Sequence, residues 1–168
     1  MIQLRQTLET AKTSLQEAKI EFALIGGFAL GAHGIHRTTK DIDLLVDGSK
    51  KEQLKKIFLS KGFRLAFESQ EVLQFHGPGY LDVLLANRPL SLEMVQTAKV
   101  HRLFNAPVVS PEGLIALKIQ AYKNDPSRQL QDQADIQALL RLPTIDLKQV
   151  KKYADLFNEW PEIERLKT

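Results

Sequence analysis

Asp41-Ile42-Asp43-Leu44-Leu45-Val46 sets two carboxylates into an otherwise aliphatic run, and Tyr80-Leu81-Asp82-Val83-Leu84-Leu85 sets in a third. Both runs predict β-strand, the first by its period-2 alternation. On a strand Asp41 and Asp43 share one face, while Ile42 and Leu44 turn to the core. A carboxylate in an apolar strand is costly unless something compensates it. The pair Asp41 and Asp43 also repel each other, so a divalent cation, a bound proton or a basic side chain must offset them. A solvated strand face with Arg37 or Lys40 as counter-charge answers the D-x-D alone. For Asp82 the competing reading is a strand end exposed after Gly79. If the two strands lie side by side, three carboxylates converge, an arrangement able to hold two metal ions and activate a hydroxyl nucleophile. Hard oxygen ligands of this kind suit Mg²⁺.

The rest of the chain supports a sheet-and-helix fold. Leu4, Leu8, Ala11 and Leu15 recur at helical spacing and predict an amphipathic helix over 2–19. Phe22 to Ile25 reads as a buried strand, and Phe28 to His33 as a short helix stopped by Gly34. A helix is expected from Ser49 to Ser60, with Ser49 as cap and Glu52 completing a capping box. Phe63 to Glu68 and Val72 to Phe75 read as strands, the second joined to the Asp82 strand at Gly77-Pro78-Gly79. Shorter strands fit near Val100 to Phe104 and at Val108-Val109. After Ser110 the pattern becomes helical. Ser110 with Pro111 and Gly113 marks a start. A second helix is expected over about Ser127 to Arg141, and Asp146 caps a third with Leu147, Val150, Ala154 and Phe157 inward. The expected class is α+β: a mixed sheet of about five strands with flanking helices, then a short helical portion. At 168 residues this fits a single domain spanning 1–168, with an α/β core at 1–109 and helices at 110–168.

Composition removes several alternatives. There are no Cys residues, so disulfides, thiolate zinc sites and a Cys nucleophile are excluded. No apolar run approaches the ~18 residues of a membrane span, and the N-terminus lacks a signal-peptide pattern. The expected setting is cytoplasmic, without a membrane partner. The net charge of +3 is spread thinly and does not argue for nucleic acid by itself. His33 and His36 lack zinc spacing and read as a helix-end and a loop histidine. Trp160 and Lys151-Lys152 read as packing and solvated surface.

Gly26-Gly27 stands between the first strand and its following helix. Two glycines there let a phosphate approach the backbone, though for a bare Gly-Gly a tight strand-to-helix turn is the better explanation. No Gly-Lys-Ser/Thr follows, so this is no P-loop. Taken together, Gly26-Gly27, Arg37, Thr39, Asp41-Ile42-Asp43 and the later Asp82 resemble the nucleotidyltransferase superfamily that includes DNA polymerase β. Within it, the likeness is to small prokaryotic proteins related to the AbiEii and MenT toxin nucleotidyltransferases. The second half adds Leu114 to Ala121 (LIALKIQA), Arg128 and Asp132-Gln133-Ala134-Asp135-Ile136.

The resemblance implies transfer of a nucleoside monophosphate from an NTP to a hydroxyl or phosphate acceptor. Asp41 and Asp43 are then ligands of two Mg²⁺ ions, with Asp82 as the third carboxylate helping to deprotonate the acceptor. Gly26 and Gly27 cradle the triphosphate. Arg37, beside Thr39, either contacts phosphate or balances Asp41 and Asp43. Lys118 falls in the family's lysine-bearing helix and is expected at the triphosphate, with a snorkelling surface lysine as the alternative. Asp132 and Asp135 share a helix face. Relatives often carry Lys-Asp where this chain has Gln131-Asp132, so either Asp is a candidate, or one orders Lys118 or Arg128 by an ion pair. The acceptor stays open among RNA including tRNA, protein and small molecules. A toxin–antitoxin role, with an antitoxin protein as partner, is part of what the likeness implies. A catalytically silent nucleotide-binding or protein-interaction module of the same fold is the alternative.

Overall fold

The computed structural model describes residues 2–167 and divides into two compact units, one ending at Val109 and one beginning at Ser110. The first unit opens with α1 (Ile2–Glu17), which buries Leu8, Ala11 and Leu15 as its periodicity predicts. Then follow β1 (Phe22–Leu24), α2 (Gly26–Ala32), β2 (Asp41–Asp47), a 3-10 turn (Gly48–Lys50), α3 (Lys51–Ser60), β3 (Arg64–Glu68), β4 (Val72–His76) and β5 (Tyr80–Ala86). The unit closes with α4 (Pro89–Thr97), β6 (Lys99–His101) and β7 (Ala106–Val108).

The strands make one mixed seven-stranded sheet in the order β3-β4-β5-β2-β1-β7-β6. Five of them were expected as the sheet. The other two, β6 and β7, are the short three-residue strands beyond it. β7 runs through Pro107, which cannot donate to a ladder; it stands opposite Val100 of edge strand β6. The pivotal pairing is β2 with β5, parallel and seven residues long. β1 lies antiparallel on the other side of β2. One face of β4 and β5 carries Leu73, Phe75, Leu81 and Val83, all fully buried. Phe58 of α3 meets Phe75 and Phe63 edge-on there, at centroid distances of 5.2 and 5.9 Å. The contacts between these rings place α3 on the same face of the sheet.

Three local expectations are corrected. The residues expected to start at Ser49 form the 3-10 turn first, and Asp47 rather than Ser49 supplies the cap, accepting from the Ser49 N–H at 2.8 Å. An acid placed two residues earlier reaches the amide that the Ser49 hydroxyl could not cap for itself. α4 lies outside the expected elements. Pro89 occupies its first turn, where a missing N–H costs nothing, and the Ser91 hydroxyl accepts from the Arg88 amide at 3.2 Å. α2 begins at Gly26, two residues before the expected Phe28.

The second unit is helical: α5 (Pro111–Asn124), a 3-10 turn (Pro126–Arg128), α6 (Gln129–Leu140), α7 (Leu147–Leu156) and α8 (Trp160–Leu166). Ser110 caps α5 by accepting from the Gly113 amide at 3.1 Å. Asp146 caps α7, accepting from Lys148 and Gln149 at 2.9 and 3.2 Å. Val150 and Ala154 are buried as expected, but Leu147 at the helix start is exposed. Among the described residues, no helix is long and apolar enough to cross a membrane.

Candidate active site

The parallel register of β2 and β5 sets Asp43 directly opposite Asp82 and Asp41 opposite Tyr80. All three carboxylates are half-buried. Each offers one oxygen such that the three oxygens lie within 4.8 Å of one another. Among the described residues, no other group of three or more His, Cys, Asp or Glu side chains is so placed. The donor set is hard oxygen throughout, which matches Mg²⁺ rather than a softer transition metal.

The surroundings hold these carboxylates in place. The Thr39 hydroxyl donates to Asp41 Oδ1 at 2.8 Å, and the Gln74 amide donates to Asp82 Oδ2 at 3.0 Å. Gln74 is the residue that sequence reasoning missed. Its signal was the alternation Val72-Leu73-Gln74-Phe75-His76, where Gln74 and His76 share the polar face of β4. The register puts Gln74 opposite Asp82.

Gly26 and Gly27 open α2 rather than preceding it, so the turn falls at Ile25. The Ile25 amide donates to the Asp43 carbonyl at 3.0 Å, tying the start of the helix to β2. Gly26 has φ +60°, and a Cβ there would stand 1.9 Å from Asp43 Oδ2. A Cβ on Gly27 would come within 2.6 Å of the Thr39 Cβ. Only glycine combines that left-handed backbone with a carboxylate pressed against it. The requirement for two glycines is therefore set by Asp43 and Thr39.

Arg37 lies on the exposed loop before β2, three residues ahead of Lys40. The His33 ring donates from Nε2 to the Val109 carbonyl, 2.8 Å away, when that nitrogen is protonated. It is a helix-end histidine with a structural bond. His36 is exposed on the loop. Phe28 of α2 packs against Phe104 with centroids 5.2 Å apart.

Lys118, Asp132 and Asp135 lie in the second unit, where α5 and α6 bring them together. Lys118 Nζ is 3.0 Å from Asp132 Oδ1 and 2.5 Å from Asp135 Oδ2. Arg128 Nε reaches Asp132 Oδ2 at 3.2 Å. The Asp132 side chain is 1% exposed and the Lys118 side chain 11%, so Lys118 is not a snorkelling surface lysine. A carboxylate this deep is sustained by its cations. Nearby, Tyr122 donates to Glu159 Oε2 at 2.7 Å. Burial first, and the Glu159 carboxylate second, push the Tyr122 hydroxyl well above the ordinary phenol range.

Comparison with known proteins meets this geometry. Residues 9–69 match the family described as "Nucleotidyl transferase AbiEii toxin, Type IV TA system". That stretch holds Gly26, Gly27, Arg37, Thr39, Asp41 and Asp43. No protein of curated function matches the chain in sequence. Among solved structures, ANT(2'')-Ia in complex with adenylyl-2''-tobramycin is similar with a TM-score of 0.57 at 18% identity, covering 96% of this chain and 93% of that one. An antigenic nucleotidyltransferase-like protein from Paracoccidioides brasiliensis gives 0.56 at 18% identity, covering 99% and 92%. The lincosamide antibiotic adenylyltransferase LnuA, lincomycin-bound, gives 0.54 at 14%, covering 76% and 90%. These likenesses establish the fold, and the family match falls on the glycine pair and the first two carboxylates. The chain has the fold of these solved nucleotidyltransferases and is similar to the AbiEii family over residues 9–69.

Proposed function

We propose that the protein is a nucleotidyltransferase that moves a nucleoside monophosphate from an NTP to a hydroxyl or phosphate acceptor, with two Mg²⁺ ions held by Asp41, Asp43 and Asp82. The observation that carries this reading is the Asp43–Asp82 register, which gathers three carboxylate oxygens within 4.8 Å beside a glycine helix start. Bound Mg²⁺ supplies charge neutralisation on the phosphates and acidifies an acceptor hydroxyl.

The chain's own residues do the positioning. Thr39 orients Asp41, and Gln74 orients Asp82. Asp82 takes the acceptor proton as the acceptor oxygen bonds to the α-phosphorus. The α–β bridging P–O bond breaks, and its electron pair leaves with pyrophosphate. Gly26 and Gly27 leave the backbone of α2 open to a triphosphate, and Arg37 adds a cation on the loop beside it. Phosphoryl transfer needs placement and charge more than covalent chemistry from the protein, and these residues are of that kind.

The AbiEii description supports a toxin role paired with an antitoxin. The two antibiotic-modifying neighbours keep small alcohols among the acceptors to be tried. The test is a panel of labelled NTPs with Mg²⁺ and total RNA, cell lysate, antibiotic alcohols or the protein itself as acceptor. Label on one acceptor class, lost in Asp43→Ala, is the expected result. No label on any acceptor, from folded protein that binds NTP, overturns it. Growth arrest on expression, relieved by Asp43→Ala, is the outcome that the toxin role requires.

A further inference from the structure

Helix α2 touches two parts of the first unit that are not neighbours in the sheet: β2, and the β6–β7 hairpin, which lies beyond β1. Against β2 the helix has no slack. A Cβ on Gly26 would run into Asp43 Oδ2, and one on Gly27 into Thr39, whose hydroxyl holds Asp41. A shift of α2 relative to β2 is therefore felt by two of the three carboxylates.

The hairpin side is fixed by a chain of contacts. Phe28, in the first turn of α2, packs on Phe104 with ring centroids 5.2 Å apart. At the other end of the helix, His33 Nε2 lies 2.8 Å from the Val109 carbonyl. The Val109 amide in turn donates to the Leu24 carbonyl at 3.1 Å, which ties that acceptor to β1. Phe104 is itself held. The His101 ring stands 6.0 Å from its own, and its carbonyl accepts from Lys12 Nζ at 3.4 Å. Lys12 lies on α1 and is only 7% exposed, and its ammonium also reaches Glu9 Oε1 at 2.8 Å. An ammonium buried to that degree is costly unless it is paired. One of its two acceptors here is the backbone of the hairpin. Lys12, His33 and Phe104 all stand outside the carboxylate cluster.

We infer that Phe104, His33 and Lys12 are positioning residues that set Asp41 and Asp43 through α2, and so tune how tightly these carboxylates hold a divalent cation. The inference rests on the metal reading proposed above. Phe104 and His33 act on the helix directly, one at each end. Lys12 acts one step further back, through the hairpin. When the hairpin lets go, α2 is free to back away from β2. Asp43 and Thr39 then lose the surface that limits their rotamers, and the ligand pair is no longer held ready for the ion. Support of this kind is what keeps metal ligands in their binding geometry.

The test titrates Mn²⁺ alone into the full chain and follows the free ion by electron paramagnetic resonance, well below the melting temperature of each variant. Wild-type protein binds the ion and Asp43→Ala loses it. Phe104→Ala and His33→Ala each weaken Mn²⁺ binding by about 2- to 12-fold, the effect of one lost aromatic pair or hydrogen bond. Lys12→Met weakens it less. Phe104→Tyr keeps the ring and His33→Gln keeps a donor, and both restore binding. In label transfer the alanine variants need more Mg²⁺ for half-maximal rate but keep their kcat at saturating Mg²⁺. Phe58→Leu, in the buried core at α3, is the control, with a lower Tm and unchanged Mn²⁺ affinity. If an alanine variant fails to fold, Phe104→Leu and His33→Leu carry the same comparison with bulk retained. Wild-type affinity in the Phe104, His33 and Lys12 variants overturns the inference. So does a loss of affinity that merely follows Tm, Phe58→Leu included. Either result leaves the metal reading standing, whereas wild-type protein that holds no Mn²⁺ defeats that reading and the inference with it.

Discussion

Two clusters of acids among the described residues are built differently. Asp41, Asp43 and Asp82 gather three like charges at half-buried positions, and the Thr39 hydroxyl and Gln74 amide orient two of them. Asp132 and Asp135 are buried more deeply, and both close on Lys118, with Arg128 on Asp132 as well. The second cluster is an ion-pair network in which cation and anion meet inside the protein. The first brings three carboxylate oxygens within 4.8 Å of one another, the arrangement that the proposed Mg²⁺ ions would use. The lesson is that acidity alone does not mark a site. What distinguishes the first cluster is that three carboxylates from two paired strands come together on one face.

That contrast breaks most sharply on the two removals. Asp43→Ala is expected to cut nucleotidyl transfer by roughly 10³-fold or more, about 4 kcal/mol of transition-state stabilisation, with circular dichroism unchanged. A variant that unfolds instead would put the first cluster in the structural class. Lys118→Ala leaves Asp132 buried without its ammonium and is expected to cost about 3–5 kcal/mol of stability. For a chain of this size that lowers Tm by roughly 6–20 °C. An unchanged melt would show that the second cluster is not structural.

Ligand addition sharpens the difference. Mg²⁺ with NTP at about 100 times its dissociation constant should raise stability by ~2.7 kcal/mol. The Asp43→Ala variant should lose that gain, and chelation should reverse it. Gly26→Ala combines a left-handed backbone strain of about 1–2 kcal/mol with a Cβ driven into the Asp43 carboxylate. Transfer should fall further than stability does, because the carboxylate has to move. Comparing the two losses by melting and label transfer checks that order.

The smallest effect lies at an exposed pair. Lys51 and Lys55 hold the Glu68 carboxyl below its ordinary 4.5. Because the folded value is the lower one, this group's contribution is present above about pH 4.5 and fades as pH falls through the folded value. In Glu68→Gln that slight acid-side loss should vanish from a urea titration series, while the buried Lys118 network is untouched.

The parts of this site that could be read in advance are those with local causes. Asp41 and Asp43 share a face because strand period requires it, and Asp82 stood out because its neighbours are aliphatic. The α+β class and most helix positions followed from apolar spacing. The pairing of Asp43 with Asp82 could only be posed as a condition, since it depends on how α3, β3 and β4 return the chain to β2. Gln74 was hidden for the same reason: its importance comes from the residue across the ladder. The partnership of Lys118 with two acids of another helix likewise depends on packing. The helix start at Gly26 is a tertiary effect, since the Ile25 amide bonds to Asp43 on β2.

The parallel pairing of β2 and β5 has a consequence for the order in which this protein comes into being. The first two carboxylates emerge from the ribosome on β2, but their third companion waits for α3 and the β3–β4 hairpin to be made. Long-range parallel pairing is a slow event in folding because a large loop must close before it is rewarded. Until β5 docks, the nascent chain presents Asp41 and Asp43 on a strand whose neighbour is missing. The complete carboxylate trio therefore forms only as the central sheet consolidates, and an unfinished chain does not display the full cluster to the nucleotides around it.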